Sequence, residues 1–213
     1  MKSQRRAEII IGVLFLLATA SYMLGSGLIE SALKVTENLD VNQVRIGVFL
    51  ELINSAAVVG IAALIFPILR KYSESMTIIY VSSRTIESVL LLISAMAPLL
   101  LITLNQVEAP QLNSMITLLG NYSFQFAMLS LSAGSIFLCY VLYTKKLVPR
   151  LLSMLGLIGY ILLLISGLLA IIGYKDTVLF YIPGALFELL FPFWLIIKGL
   201  NLSQIVPKSN KWT

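Results

Sequence analysis

Six stretches of the chain stay apolar for twenty residues or more, with polar residues gathered into short breaks between them. They cover roughly 7–29, 43–69, 76–104, 113–144, 151–173 and 177–200. An α-helix rises ~1.5 Å per residue, so about 20 such residues cross ~30 Å of hydrocarbon. No stretch alternates apolar and polar positions with period two, as the strands of a membrane barrel must. The pattern predicts an all-α polytopic membrane protein. One transmembrane domain over 1–213 would form a bundle of six transmembrane helices with short loops.

The breaks fall at Glu30–Asn42, Arg70–Ser75, Asn105–Leu112, Lys145–Arg150 and Tyr174–Asp176. None is long enough to hold an extramembrane catalytic domain. The second and fifth stretches do not correspond, because Glu51 has no counterpart in 151–173, so a three-plus-three internal repeat is unsupported.

Composition agrees. Of 213 residues, 59% are hydrophobic and only 12% charged, about half the charged share of an ordinary soluble domain. The first stretch follows Lys2, Arg5 and Arg6 in the manner of a signal peptide, but it is longer than a signal's ~7–15-residue apolar region. It is expected to be a retained first helix.

The net charge of +5 changes the picture only through its placement. The basic residues stand at the ends of the apolar stretches and form no patch, so nucleic acid is not an expected partner. Lys2, Arg5, Arg6, Arg70, Lys71, Lys145, Lys146, Arg150, Lys198, Lys208 and Lys211 all fall on the side of the N-terminus. Only Lys34, Arg45 and Lys175 fall opposite, joined there by Glu30, Glu37, Asp40, Glu108 and Asp176. Positive residues accumulate on the cytoplasmic side. A multi-pass protein of the cell membrane with both termini cytoplasmic is expected. Tyr174 and Trp212 fall where interfacial aromatic rings are favoured.

Chemistry is narrowed by what the chain lacks. It has no histidine, which removes most zinc and haem sites and the usual Ser-His and Cys-His catalytic pairs. The single cysteine, Cys139, reads as a small packed residue. No metal or cofactor is expected. Retinal is excluded for want of a mid-span lysine.

The informative residues are those that do not belong in lipid. Glu51, Arg84, Glu87 and Glu188 lie inside the apolar stretches, where an isolated charge costs ~2.5–3.5 kcal/mol on insertion scales. Helix rise places Glu87 and Glu188 near the midplane, Arg84 one turn towards the cytoplasm, and Glu51 about 9 Å below the outer boundary. Helical spacing aligns Tyr80, Ser83, Arg84, Glu87 and Ser88 on one face, and Glu51, Asn54 and Ser55 on another. Asn121, Gln125, Ser132 and Ser135 form a third stripe, with Met128 between them. The candidate ligand- or ion-binding residues are therefore Glu51, Asn54, Tyr80, Arg84, Glu87, Gln125 and Glu188.

With every group ionised, three acids face one base. Two uncompensated charges remain, so some of the acids are expected to hold protons or a cation to be bound. Arg84 is expected to pair with Glu87 and to reach Glu188 or Glu51 across helices. Pro67, Pro98, Pro183 and Pro192 are expected to kink helices or mark their ends, Pro192 beside Glu188. Ser21/Gly25, Ala56/Gly60 and Ser130/Gly134 are small-residue pairs suited to close helix contact.

Several runs resemble a known family. They are Arg45-Ile-Gly-Val-Phe-Leu-Glu51-Leu-Ile-Asn54, Phe66-Pro67-Ile-Leu-Arg70, Tyr80-Val-Ser-Ser-Arg84-Thr-Ile-Glu87, Leu147-Val-Pro149-Arg150-Leu-Leu-Ser-Met-Leu-Gly156, and Phe187-Glu188 with Trp194-Leu-Ile-Ile-Lys198-Gly199. Over nearly its whole length the chain is similar to a family of small bacterial six-span membrane proteins, a domain of unknown function. The resemblance implies six helices in a bacterial membrane and carries no activity.

Three functional readings remain. The first is a non-enzymatic protein whose midplane polar cavity binds a small or lipid-like ligand or passes protons or cations. The second is an intramembrane enzyme acting on lipid or peptide, which without histidine needs a glutamate-based mechanism. The third is an assembly or immunity factor whose polar core is structural. The lipid bilayer is the expected partner, and the oligomeric state stays open.

Overall fold

The computed structural model describes residues 2–34, 40–104, 110–174 and 178–201. Among them are six α-helices: α1 (Lys2–Lys34), α2 (Val41–Leu69), α3 (Glu74–Leu104), α4 (Pro110–Thr144), α5 (Arg150–Ile171) and α6 (Ile182–Ile197). The sequence expectations for Trp212, Lys208, Lys211, Lys175, Asp176, Glu37 and Glu108 lie outside the described residues.

The boundaries follow local chemistry. Asp40 caps α2, its carboxylate accepting from the backbone N–H of Asn42 at 3.0 Å and Gln43 at 3.1 Å. Pro110 opens α4 and Pro149 precedes α5, positions where a missing N–H costs nothing. Gly199 ends α6 at φ +79°, a conformation that disfavours any side chain. Pro67, Pro98 and Pro192 lie within continuous helices.

Helices α1 to α5 are each long and apolar enough to cross a membrane. The sixth differs from expectation. Its helix has 16 residues, about 24 Å by rise, rather than the full 177–200 stretch. Pro183 stands in its first turn, where a proline starts a helix more readily than it continues one, and a short 3-10 turn, Val178–Phe180, precedes it. The molecule is a membrane-embedded helical bundle of five long spans and one shorter apolar helix.

Each helix packs on its neighbour in sequence, and α6 packs on both α5 and α1, closing a ring. Large apolar side chains point outward along every span, as lipid requires. The centre is filled by aromatic rings. Phe187 stacks on Phe191 at 5.0 Å, Phe15 meets Phe191 edge-on at 5.6 Å, and Tyr160 meets Phe187 edge-on at 5.7 Å. Lipid tails are as apolar as these rings, so contact quality rather than dehydration holds such helices together.

Small residues supply that contact. A Cβ at Gly25 of α1 would fall 2.7 Å from the Gly47 carbonyl of α2. Gly134 of α4 leaves room for Ser83 of α3, and Gly159 of α5 for the Gly184 backbone of α6. Ser21/Gly25 and Ser130/Gly134 thus sit at helix contacts. Ala56 does not; it is exposed, and its partner Gly60 meets only a Leu14 methyl.

The open ends of the ring meet through Arg5. Its guanidinium donates to the carbonyls of Leu195 and Ile196, each at 2.6 Å, and pairs with Glu8 at 3.3 Å. The start of α1 and the end of α6 therefore lie at the same end of the bundle.

Candidate functional site

The stripe of α3 turns inward as its spacing requires. Tyr80, Arg84, Glu87 and Ser88 are all buried. Arg84 and Glu87, one turn apart, form an ion pair of 2.9 Å in which neither side chain is more than 5% exposed. Glu188 of α6 stands within electrostatic reach of Arg84 and Glu87. Its own hydrogen bond comes from the Tyr160 hydroxyl of α5, at 3.1 Å. Tyr80 presents a buried hydroxyl without a hydrogen-bond partner to the same charges. Cys139 of α4 packs into the notch left by Gly156, close enough to feel Glu188.

The expected cross-helix pairing of Arg84 takes a different form. Among the described residues its ion pair is with Glu87 alone. Glu188 is engaged by Tyr160 instead, and Arg84 acts on it through space. Arg84 Nε is buried without a hydrogen-bond partner. Glu51 stands apart from this group.

Between α2 and α3 the contact is polar. The Ser55 hydroxyl donates to the Ser88 carbonyl at 2.9 Å, and the Ser88 hydroxyl to the Ser55 carbonyl at 3.1 Å. Their oxygens are 2.6 Å apart. On the far side of this clamp from Arg84, a small recess is lined by Tyr22, Glu51, Asn54, Leu91, Ser94 and Phe124. It has room for about one water molecule. The rings of Tyr22 and Phe124 stack at 5.7 Å and 5° across it, so α1 and α4 meet there.

The candidates thus divide into two groups. Buried Tyr80, Arg84 and Glu87 gather with half-buried Glu188, while Glu51 and Asn54 line the recess. Gln125 is half-buried, its amide oxygen buried without a hydrogen-bond partner. Ser132 and Ser135 face inward, the Ser132 hydroxyl bonding to the Leu129 carbonyl at 2.9 Å. Asn121 was expected on the same inner stripe and is exposed.

Sequence reasoning did not single out Tyr160, Tyr22 or Glu8. A tyrosine deep in an apolar helix signals a hydroxyl in need of a partner, and Tyr160 fits that signal. Glu8 lies so near the start of α1 that it reads as a flanking charge. Its side chain is nonetheless only 4% exposed, paired with Arg5. Nearby, burial and the Glu8 carboxylate raise the Tyr72 hydroxyl above the ordinary tyrosine range.

Residues 10–199 match a family described as Domain of unknown function (DUF4386). No curated protein and no solved structure matches the chain.

Proposed function

The chain belongs to the DUF4386 family, a domain of unknown function, and we propose that it is a non-catalytic membrane protein that takes up and releases protons at its core carboxylates. The observation that carries this reading is the charge count of the core. Among the described residues Glu87 and Glu188 have one guanidinium between them, that of Arg84. Ionised together they leave a net negative charge in a water-poor, low-dielectric centre, and an uncompensated buried charge costs several kcal/mol. A proton resolves the imbalance at least cost in space, and space is what the aromatic core lacks.

The surroundings suit proton movement. The Tyr160 hydroxyl holds one oxygen of Glu188, and the Tyr80 hydroxyl has both its donor and its acceptor uncommitted. The paired hydroxyls of Ser55 and Ser88 continue the polar seam between α2 and α3. A larger organic ligand does not fit the recess beside Glu51, which admits about one water molecule. On the distribution of basic residues we place the Arg5 end of the bundle at the cytoplasmic face of a cell membrane.

The test is proton flux into sealed liposomes carrying the purified full-length chain and a trapped pH-sensitive dye. An imposed gradient should collapse faster than in empty liposomes, and Glu87→Gln and Glu188→Gln should each slow the collapse. Flux equal to that of empty liposomes would refute the reading. One observation favours a structural role instead: Tyr80, Tyr160, Phe187 and Phe191 pack the cluster with almost no exposed surface. Intact flux in both glutamine variants would point that way.

A further inference from the structure

The recess at Glu51 has chemistry that the proton reading does not use. We propose that it binds a single dehydrated alkali-metal cation. Four of its six lining residues carry oxygen: the Glu51 carboxylate, the Asn54 amide and the hydroxyls of Ser94 and Tyr22. Hard cations select oxygen ligands of this kind. Glu51 supplies the one charge. Among the described residues no Lys or Arg forms an ion pair with it, so one monovalent cation neutralises the recess.

Charge and size set the class. A divalent ion would carry a surplus charge, and no group of three or more metal-ligating acidic, cysteine or histidine side chains stands together among the described residues. Calcium also prefers six to eight oxygens, and magnesium keeps several waters. Room for about one water-sized sphere admits a bare alkali ion and excludes an organic ammonium.

The recess is built rather than incidental. A Cβ at Gly25 would lie 3.2 Å from Glu51 Cγ, so the bare glycine lets the Glu51 stem lie against α1. The Tyr22 hydroxyl is held by Ser26, and its ring lies flat against Phe124. Asn54 is buried one turn along from Glu51 on the same face of α2. A protonated Glu51 would need only one acceptor, whereas here three neutral oxygen-bearing side chains line the recess beside it.

The experiment is thermal unfolding of the full chain in detergent, with lithium, sodium or potassium chloride replacing choline chloride at constant ionic strength. A ligand that binds only the folded state raises the unfolding temperature saturably. At least one alkali cation should do so, the rise should vanish in Glu51→Gln, and it should persist in Glu188→Gln. Equal behaviour in alkali and choline salts, or a rise that survives Glu51→Gln, overturns the proposal. Should Glu51→Gln fail to fold, Ser94→Ala keeps the charge and removes one oxygen. Its half-saturating concentration should rise, and an unchanged value overturns the proposal equally. The proton reading stands or falls on Glu87 and Glu188, so a failure here leaves it untouched.

Discussion

Arg84 lies buried in a membrane span and keeps its charge, because a guanidinium does not deprotonate in proteins. The sequence made Arg84, Glu87 and Glu188 visible for one reason: an ionisable side chain cannot face lipid tails cheaply. What it did not show was how their partners divide, since that depends on how α5 and α6 cross. Tyr160 reaches Glu188 from a third helix, and no spacing along one helix reveals it. Arg84→Ala should strand Glu87 and Glu188 and cost about 3–5 kcal/mol of stability. Adding Glu87→Gln should recover part of that loss, since one orphaned charge goes. Both follow from unfolding temperatures in detergent. An unchanged temperature for Arg84→Ala would mean that the pair does not hold the core.

At the scale of elements, helix number and class were legible because apolar length alone sets them. Where α6 begins was not. Apolar residues run from Val178 onward, but Pro183 and the 3-10 turn delay the helix, a backbone effect that hydropathy ignores. Nor did small-residue spacing find the α5–α6 contact. Gly159 and Gly184 lie on different helices, and it takes the crossing to bring them together. Gly159→Ala would drive a methyl into the Gly184 backbone, which cannot step aside as a flexible side chain can. It should lower the unfolding temperature and loosen the Tyr160–Glu188 hydrogen bond, which spans the same two helices. Gly27→Ala is the control. Nothing lies within 4 Å of its Cβ position, and helix propensity favours alanine by up to about 1 kcal/mol. If both substitutions act alike, the close crossing does not matter to the bundle.

Among the described residues the helices form a ring in which α6 is the shortest α-helix, packed chiefly on α5 and α1. Closure on the α1 side joins the Phe15–Phe191 contact and the close approach of Gly12 to α6 with one polar contact, made by Arg5. The last carbonyls of a helix lack intrahelical donors, and that end carries partial negative charge. The Arg5 guanidinium supplies two donors to Leu195 and Ile196, and a fork of this geometry is available to arginine and not to lysine. Glu8 holds the fork in place from below. Gly199 leaves the space, because a side chain there would strike both Glu8 and Arg5. Arg5→Ala should therefore orphan two carbonyls and one buried carboxylate together. Arg5 is about a third exposed, so solvent screens part of the loss, and we expect about 2–4 kcal/mol. Arg5→Lys should restore charge but not the paired hydrogen bonds, and should fall between alanine and wild type. Arg5→Ala with Glu8→Gln should be more stable than Arg5→Ala alone, because the stranded carboxylate is gone. Unfolding temperatures of the three variants in one detergent decide the matter. If Arg5→Lys matches wild type, the contact is a point charge on the end of α6 and not a clasp that closes the ring.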